Sequence, residues 1–251
     1  GIVQVIAVEG HINGVNVTGD LGKSEKLLED MVQPIMEEKP LTLQTFQRQT
    51  MLLSRLDNLK VVSTAATPTT TDGGTPLQLI VDRNPVMFNV GADLRQGDPK
   101  AVATLTLNDP LWGGSQWQLT ALLDDWNKER FVSATLNETL NASGTRLSLN
   151  VSEFKGQDNF FGNTLQDITS QRKVSLGVTH PLHLSQSSST IIGATLFGLD
   201  YQKTYDAPTL NVTLTDREKV RAIQAHWNWQ KFGAQSQQSA SASLTQGLNA
   251  L

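Results

Sequence analysis

The chain of 251 residues carries 20 Lys and Arg against 24 Asp and Glu, a net charge of -4, with 38% hydrophobic and 18% charged residues. That length can bury a full core in one or two domains, and the sparse, scattered cations give no electrostatic case for a nucleic-acid partner. There is no Cys, which excludes disulfide frameworks, thiolate metal sites and cysteine nucleophiles. No run of about 18 apolar residues exists for a transmembrane helix; a membrane barrel stays open, because its strands carry only a weak two-residue alternation.

Gly1 lies inside a strand pattern and Leu251 inside another, so the chain reads as an internal piece of a longer protein whose leader lies upstream. Ile2 to Val8 and His11 to Thr18 are rich in β-branched residues and broken by Gly10 and Gly14, as in one irregular strand or a short hairpin. After the Gly19-Asp20 turn, Ser24 can cap a helix whose Leu28, Met31, Val32 and Ile35 fall at i, i+3, i+4 and i+7, with Pro34 interrupting it. Pro40 precedes a second helix from about Thr42 to Leu56, with Phe46, Leu53 and Leu56 on one side, ended by Asp57-Asn58. Lys60 to Thr67 is a strand, Thr69 to Pro76 a turn carrying Asp72-Gly73-Gly74, and Leu77 to Val81 a closing strand.

This order of strand, helix, helix, strand, strand, with EGHINGVNVTGD at 9–20, EKPLTLQTFQRQTMLLSRL at 38–56 and a last strand running straight on, resembles a POTRA domain of the Omp85/TpsB superfamily. The resemblance is closest to the barrel-proximal domain of two-partner secretion transporters of the haemolysin-activator and haemagglutinin-secretion type.

From Val86 onward a two-residue alternation replaces the helical period. Val86, Phe88, Val90, Ala92 and Leu94 alternate with Met87, Asn89, Gly91, Asp93 and Arg95. About nine such segments follow, near 86–95, 100–108, 115–124, 130–140, 145–155, 170–180, 190–202, 217–229 and 238–248. Most exceed the five or six residues typical of a soluble strand. Trp117 and Trp126 bracket the third segment over roughly 30 Å, which at a tilt of about 40° covers the roughly 25 Å apolar band of an outer-membrane barrel. Trp227, Trp229 and Phe232 would form an aromatic girdle at the end of another. With the first segment entering from the periplasm, the two longest connections, Gly156 to Thr169 and Lys203 to Asp216, fall outside the cell.

Asn108-Asp109-Pro110-Leu111-Trp112 resembles the NNPLG-like turn between the second and third barrel strands of the same transporters, with Trp112 and Gly113-Gly114 where a single Gly-Asp step is usual. Ser170 to Leu182 resembles their strand and turn in which an aromatic or His precedes Pro-Leu. The resemblance implies an α+β POTRA domain (β-α-α-β-β) at 1–84, followed at 85–251 by an antiparallel transmembrane β-barrel segment, about nine strands of a sixteen-stranded barrel. The family's diagnostic loop, with a VRGY-like motif, belongs to the other half of the barrel.

The implied role is that of a Gram-negative outer-membrane translocator, its POTRA domain in the periplasm, embedded in outer-membrane lipid. It would capture a secreted exoprotein of the TpsA type, a haemolysin, adhesin or contact-dependent toxin, in extended form. Capture would use the open sheet edge at Lys60, Val61, Val62, Ser63 and Thr64, with the adjacent groove lined by Leu28 and Met31 of the first helix. The passage would be walled by Asn89, Asp93, Gln118, Thr135, Asn137, Arg146, Ser148, Asn150, Gln224, His226 and Asn228. Two other readings are an Omp85-type insertase and a soluble β-rich binding module.

No chemistry of an enzyme, nucleotide site, metal or cofactor is expected: there is no G-x-S-x-G, no Walker sequence and no G-x-G-x-x-G. His180 and His183 read as a turn pair, and the adjacent carboxylates Asp124-Asp125 and Glu37-Glu38 as solvated charge. The N-x-[ST] triplets at Asn16, Asn137, Asn141, Asn150 and Asn211 read as chance in an Asn-, Ser- and Thr-rich chain.

Overall fold

The computed structural model describes residues 9–67, 72–93, 100–123, 128–160, 165–233 and 235–249. The expected strand at Ile2 to Val8, along with Leu94, Arg95, Trp126 and the Asp124-Asp125 pair, lies outside the described residues.

Strand β1 (His11–Gly19), helices α1 (Glu25–Glu37) and α2 (Leu43–Leu53), and strands β2 (Lys60–Ala65) and β3 (Gly74–Asp82) come in the expected order. β3 lies in the middle of their sheet, parallel to β1 and antiparallel to β2. The apolar stripe of α1 forms the wall of the core: Leu28, Met31, Val32 and Ile35, none more than 6% exposed, cluster with Leu53, Leu56, Leu77, Leu79 and Val81. Pro34 removes one helical hydrogen bond without ending α1, and the Glu38 N–H still reaches the Pro34 carbonyl at 3.3 Å. α2 is capped by Thr42, whose hydroxyl accepts from the Thr45 N–H at 3.2 Å. It stops at Leu53, short of the expected Leu56, because the chain tightens there into a turn in which the Leu56 N–H meets the Leu53 carbonyl at 3.3 Å.

The turn expected to include Pro76 closes earlier, and Pro76 lies within β3. A central strand tolerates it for two reasons. β1 shifts register between Ile12 and Gly14 opposite that point, and β2 has already ended at Ala65, opposite Leu77.

The remaining nine strands form one antiparallel sheet in strict chain order: β4 (Val86–Asp93), β5 (Lys100–Asn108), β6 (Ser115–Leu123), β7 (Glu129–Thr139), β8 (Arg146–Phe160), β9 (Leu165–Leu184), β10 (Ser188–Ala207), β11 (Val212–Phe232) and β12 (Gln237–Gly247). No second sheet covers either face among the described residues. The segments expected as long outer loops are strand instead. β8 has 15 residues, β9 and β10 have 20 each and β11 has 21, with only a short 3-10 turn at Pro208–Leu210 between the last two. Their outer parts carry polar residues on both faces, so hydrogen bonding continues where hydropathy alternation has faded. Pro181 likewise does not end β9, because β10 slips register between Thr190 and Ile191 opposite it.

Candidate functional site

The cross-strand pairing sorts the large sheet into two chemically distinct faces. Val86, Leu107, Trp117, Leu136, Leu149, Leu176, Leu196 and Ile223 are successive partners on β4 through β11 and form one unbroken apolar row. The next row on the other face reads Met87, Thr106, Gln118, Thr135, Asn150, Ser175, Phe197 and Ala222. The polar face is the more enclosed: Thr106 is 3% and Ala222 2% exposed, against 66% for Phe88 and 75% for Leu244 on the apolar face. Side chains converge on the inside of a curl, so the sheet bends with its polar face concave.

The apolar stretch drifts across the register. Measured from the Leu149 row, it lies away from the helices on β4 (Val86, Phe88, Val90, Ala92), straddles the row on β8 (Leu147, Leu149, Val151), and lies toward the helices on β11 (Ile223, Ala225, Trp227, Trp229). A drift of about six residues over seven strands corresponds to a strand tilt of about 30°, close to the tilt of closed barrels. Trp227 and Trp229 therefore end the stretch on the side of the helices, whereas Phe232 belongs to the opposite face.

All the residues expected to wall a passage fall on the concave face. Gln118, Thr135 and Asn150 share one row, and Asn137, Ser148 and Gln224 share the next. Asn89 lies one row further out, and Asp93 is placed on this face by its backbone. His226 crosses Gly193, where even a Cβ would come within 2.4 Å of the ring, and Asn228 follows it on β11. The polar face is bonded within and between rows: Asn150 Nδ2 donates to its row partner Thr135 Oγ1 at 2.8 Å and Gln224 Nε2 to its row partner Thr245 Oγ1 at 3.1 Å, while Gln118 Nε2 reaches Gln116 Oε1 in the next row at 2.9 Å. Arg146 is committed elsewhere, to an ion pair with Asp57 in the segment that follows α2. His180 and His183 each meet a hydroxyl, Thr145 at 2.9 Å and Ser188 at 3.0 Å, and no three His, Asp or Glu among the described residues gather to hold a metal.

The open edge expected after the helices is β2, which pairs with β3 on one side only; Val62 is 47% exposed. Leu28 and Met31 do not line a groove beside it. Each is 1% exposed, because the i, i+3, i+4 stripe to which both belong is the core stripe of α1. A different groove, of about 300 Å³, crosses the end of the sheet where β2 finishes, walled by Leu41, Leu43 and Phe46 at the start of α2, Ala65 at the end of β2, Thr75 of β3 and Ile12 of β1. Leu43, 69% exposed on a helix otherwise read by its buried side, was the signal for it.

The helical unit is fastened to one end of the large sheet by a buried polar cluster that the sequence reading missed. Asp109, at φ 53°, accepts from Asn58 Nδ2 at 2.8 Å, the Gly114 N–H at 3.0 Å and Ser24 Oγ at 3.1 Å. Ser24 Oγ also accepts from Asn58 Nδ2 at 2.7 Å and from the Gly114 N–H at 2.9 Å. Ser24, expected as the cap of α1, makes no side-chain cap; its hydroxyl serves this cluster instead. Gly113 passes so close that a Cβ would meet the Lys23 carbonyl oxygen at 2.1 Å. Arg83, with its Nε 3.8 Å from Asp109, donates to exposed Asp20 at 2.7 Å; the Gly22 N–H and Arg83 together hold the Asp20 carboxyl below its usual range. Lys23 Nζ reaches the Pro110 carbonyl at 2.8 Å, Asp57 pairs with Arg146 at the start of β8, and Arg48 reaches the Pro181 carbonyl at 3.2 Å, so three successive near-end hairpins are engaged.

No family model matches the sequence, and no curated protein matches it. In three dimensions the chain shares the fold of CdiB from Escherichia coli (TM-score 0.74, 16% identity, 96% of this chain and 46% of that one) and of CdiB from Acinetobacter baumannii (0.66, 14%, 95% and 46%). BamA from Haemophilus ducreyi, in a crystal structure lacking POTRA domains 1-3, superposes over 96% of this chain and 48% of its own (0.55, 14%). The chain thus spans about half the length of these structures, and the nine-stranded sheet corresponds to the barrel part of these neighbours.

Replacing Asp109 by Ala leaves the Ser24 hydroxyl buried without its acceptor and the Asn58 amide with Ser24 alone, at an expected cost of about 2–4 kcal/mol. Hydrogen exchange should register it as lost protection in α1 and β3 with β5 to β10 unchanged; protection that stays equal across both units would refute the fastening role.

Proposed function

We propose that this chain is the barrel-proximal POTRA domain (1–84) and part of the transmembrane β-barrel (85–251) of a two-partner secretion transporter in the Gram-negative outer membrane. What supports this above all is a single-layer, tilted sheet whose apolar rows are uncovered on the convex side while polar residues collect on the concave side. In water such a face would be an apolar patch far beyond the few hundred Å² that soluble proteins tolerate; in lipid it is the ordinary exterior of a barrel, provided every backbone group is paired. CdiB, itself a two-partner secretion transporter, is the neighbour of higher TM-score.

The work is done without covalent chemistry. An unfolded exoprotein would add as a strand to β2, whose outward N–H and C=O groups accept any extended segment, and would place a side chain in the groove of Leu41, Leu43 and Phe46. It would then pass along the concave face, where uncharged amides and hydroxyls such as Gln118, Thr135 and Asn150 hold an extended chain weakly enough to release it. β4 and β12, the two edges of the large sheet, are where further barrel strands would pair. The likeness to BamA favours a second reading, an insertase of the same superfamily. Depleting the protein separates the two: loss of a single secreted exoprotein supports the transporter, and loss of many barrel proteins the insertase.

Arg at Leu149 should cost about 2–4 kcal/mol of folding stability in bilayers, and Arg at Asn150, one residue on and facing inward, far less. Equal costs would mean that the faces are not lipid and lumen. On β2, N–H groups alternate between β3 and solvent, so Pro at Val62 and Pro at Ser63 remove one ladder donor and one outward donor. The outward substitution should cut secretion about fivefold or more, the value of one hydrogen bond, with the barrel still assembled. Secretion undiminished by either would remove edge pairing from the mechanism.

A further inference from the structure

Beyond the apolar stretch, on the side away from the helices, the convex face does not turn neutral. Arg130 of β7, Lys155 of β8, Arg172 of β9, and Arg217, Lys219 and Arg221 of β11 all lie on it, on the rows that follow the last apolar side chains. From Arg130 and Lys155 to Arg172 and then Arg221 the line drifts across the register with the apolar stretch, so in a tilted sheet these four stand near one height, while Lys219 and Arg217 lie two and four residues further out on β11. Among the described residues two carboxylates share this belt. Glu153 has Arg130 at 3.0 Å, Arg172 at 3.5 Å and Lys155 at 3.7 Å, and Asp200 has Arg217 and Arg221 at 3.9 Å each. Six cations on two anions leave a positive excess, and the side chains of Arg172 and Arg217 are 66% and 56% exposed.

Beside Arg172, across the strands toward β4, the convex face is indented. Ala103, Ala121 and Ala134 form the floor of a trough of about 620 Å³ between Phe88, Leu119 and Val151, and the Glu153 and Arg172 pair closes its outer end. An apolar slot of this size, within the range of ligand pockets, with cations at one end only, matches an amphiphile with a hydrocarbon chain and an anionic head.

We propose that this belt and trough bind the phosphate-bearing lipid of the outer leaflet, an acyl chain lying over the alanines and a phosphate between Arg172 and its neighbouring cations. The inference rests on the barrel reading above, which places the belt at the outer headgroup level. A surplus of cations at that height is of use only to an anionic headgroup, since uncharged lipid would leave their mutual repulsion uncompensated.

The test uses the full-length protein in detergent, with binding of bisphosphorylated and phosphate-free lipid A measured by native mass spectrometry. The protein should bind the bisphosphorylated form preferentially. Arg172→Gln with Arg217→Gln should weaken that binding on the order of twentyfold, at about fivefold per cation removed, while Lys26→Gln with Lys39→Gln, an equal charge change at the helical end, should not alter it. Equal binding of the two lipids, equal binding by the belt variant, or displacement by inorganic phosphate alone would overturn the proposal. Heat-modifiable gel mobility is read on every sample. A wild type that lacks it and leaves the membrane without detergent refutes the barrel reading itself, whereas a heat-modifiable protein indifferent to lipid phosphate refutes only this inference. Should the Arg172 and Arg217 variant lose heat-modifiable mobility, Lys155→Gln with Lys219→Gln carries the same expectations.

Discussion

Everything in the large sheet depends on pairing register. A side chain's face is set by a period of two, so a slip of one residue anywhere would turn Leu149 inward and Asn150 outward and carry every later strand with it. The register from Val86 to Ile223 holds through eight strands without such a slip. The one irregularity, opposite Pro181, lies at the near end of β9 and β10, where a missing N–H can be absorbed without disturbing the apolar rows.

The second constraint is orientation. A curled sheet alone has two equivalent ends, and the cluster of Asp109, Ser24 and Asn58 makes them unequal by fastening the helical unit to the turn between β5 and β6. Asp109, the Ser24 hydroxyl and the Asn58 amide nitrogen bond one another, which is what allows three polar residues to be almost wholly buried at that junction, with Asn58 Oδ1 alone left without a partner among the described residues. Gly113 and Gly114 are required there by contact and by a φ of 84°, so the double glycine is the part that lets two backbones meet.

Much of this was legible in the sequence. The core stripe of α1, the nine strands and the sorting of Gln118, Asn150 and Gln224 onto one face all follow from local periodicity, which needs no knowledge of distant partners. What escaped were features set by tertiary contact. Ser24 has the chemistry of a helix cap, and only the approach of Asp109, 85 positions away, redirects it. Leu28 and Met31 could be placed on a stripe but not assigned to core or groove, since both readings use the same spacing. The outer parts of β8 to β11, at 156–169 and 203–216, read as loops in the sequence because their pattern is polar on both faces, and backbone pairing leaves no mark on hydropathy.

The charges illustrate the same limit. Along the chain the cations look scattered: Arg130 and Lys155 lie 25 positions apart, and Arg172 and Lys219 lie 47 apart. Antiparallel pairing folds those intervals back on themselves, so that residues with no sequence relation become cross-strand neighbours, as Glu153 is to Arg172 and Arg172 to Asp200. A net charge of -4 says nothing about such a belt. The pairing also explains why the belt can be cationic without unfolding the sheet. Each guanidinium stands on a strand whose backbone bonds are made on both sides, so the repulsion between neighbours is borne by the ladder, and the field they generate is left to act outward.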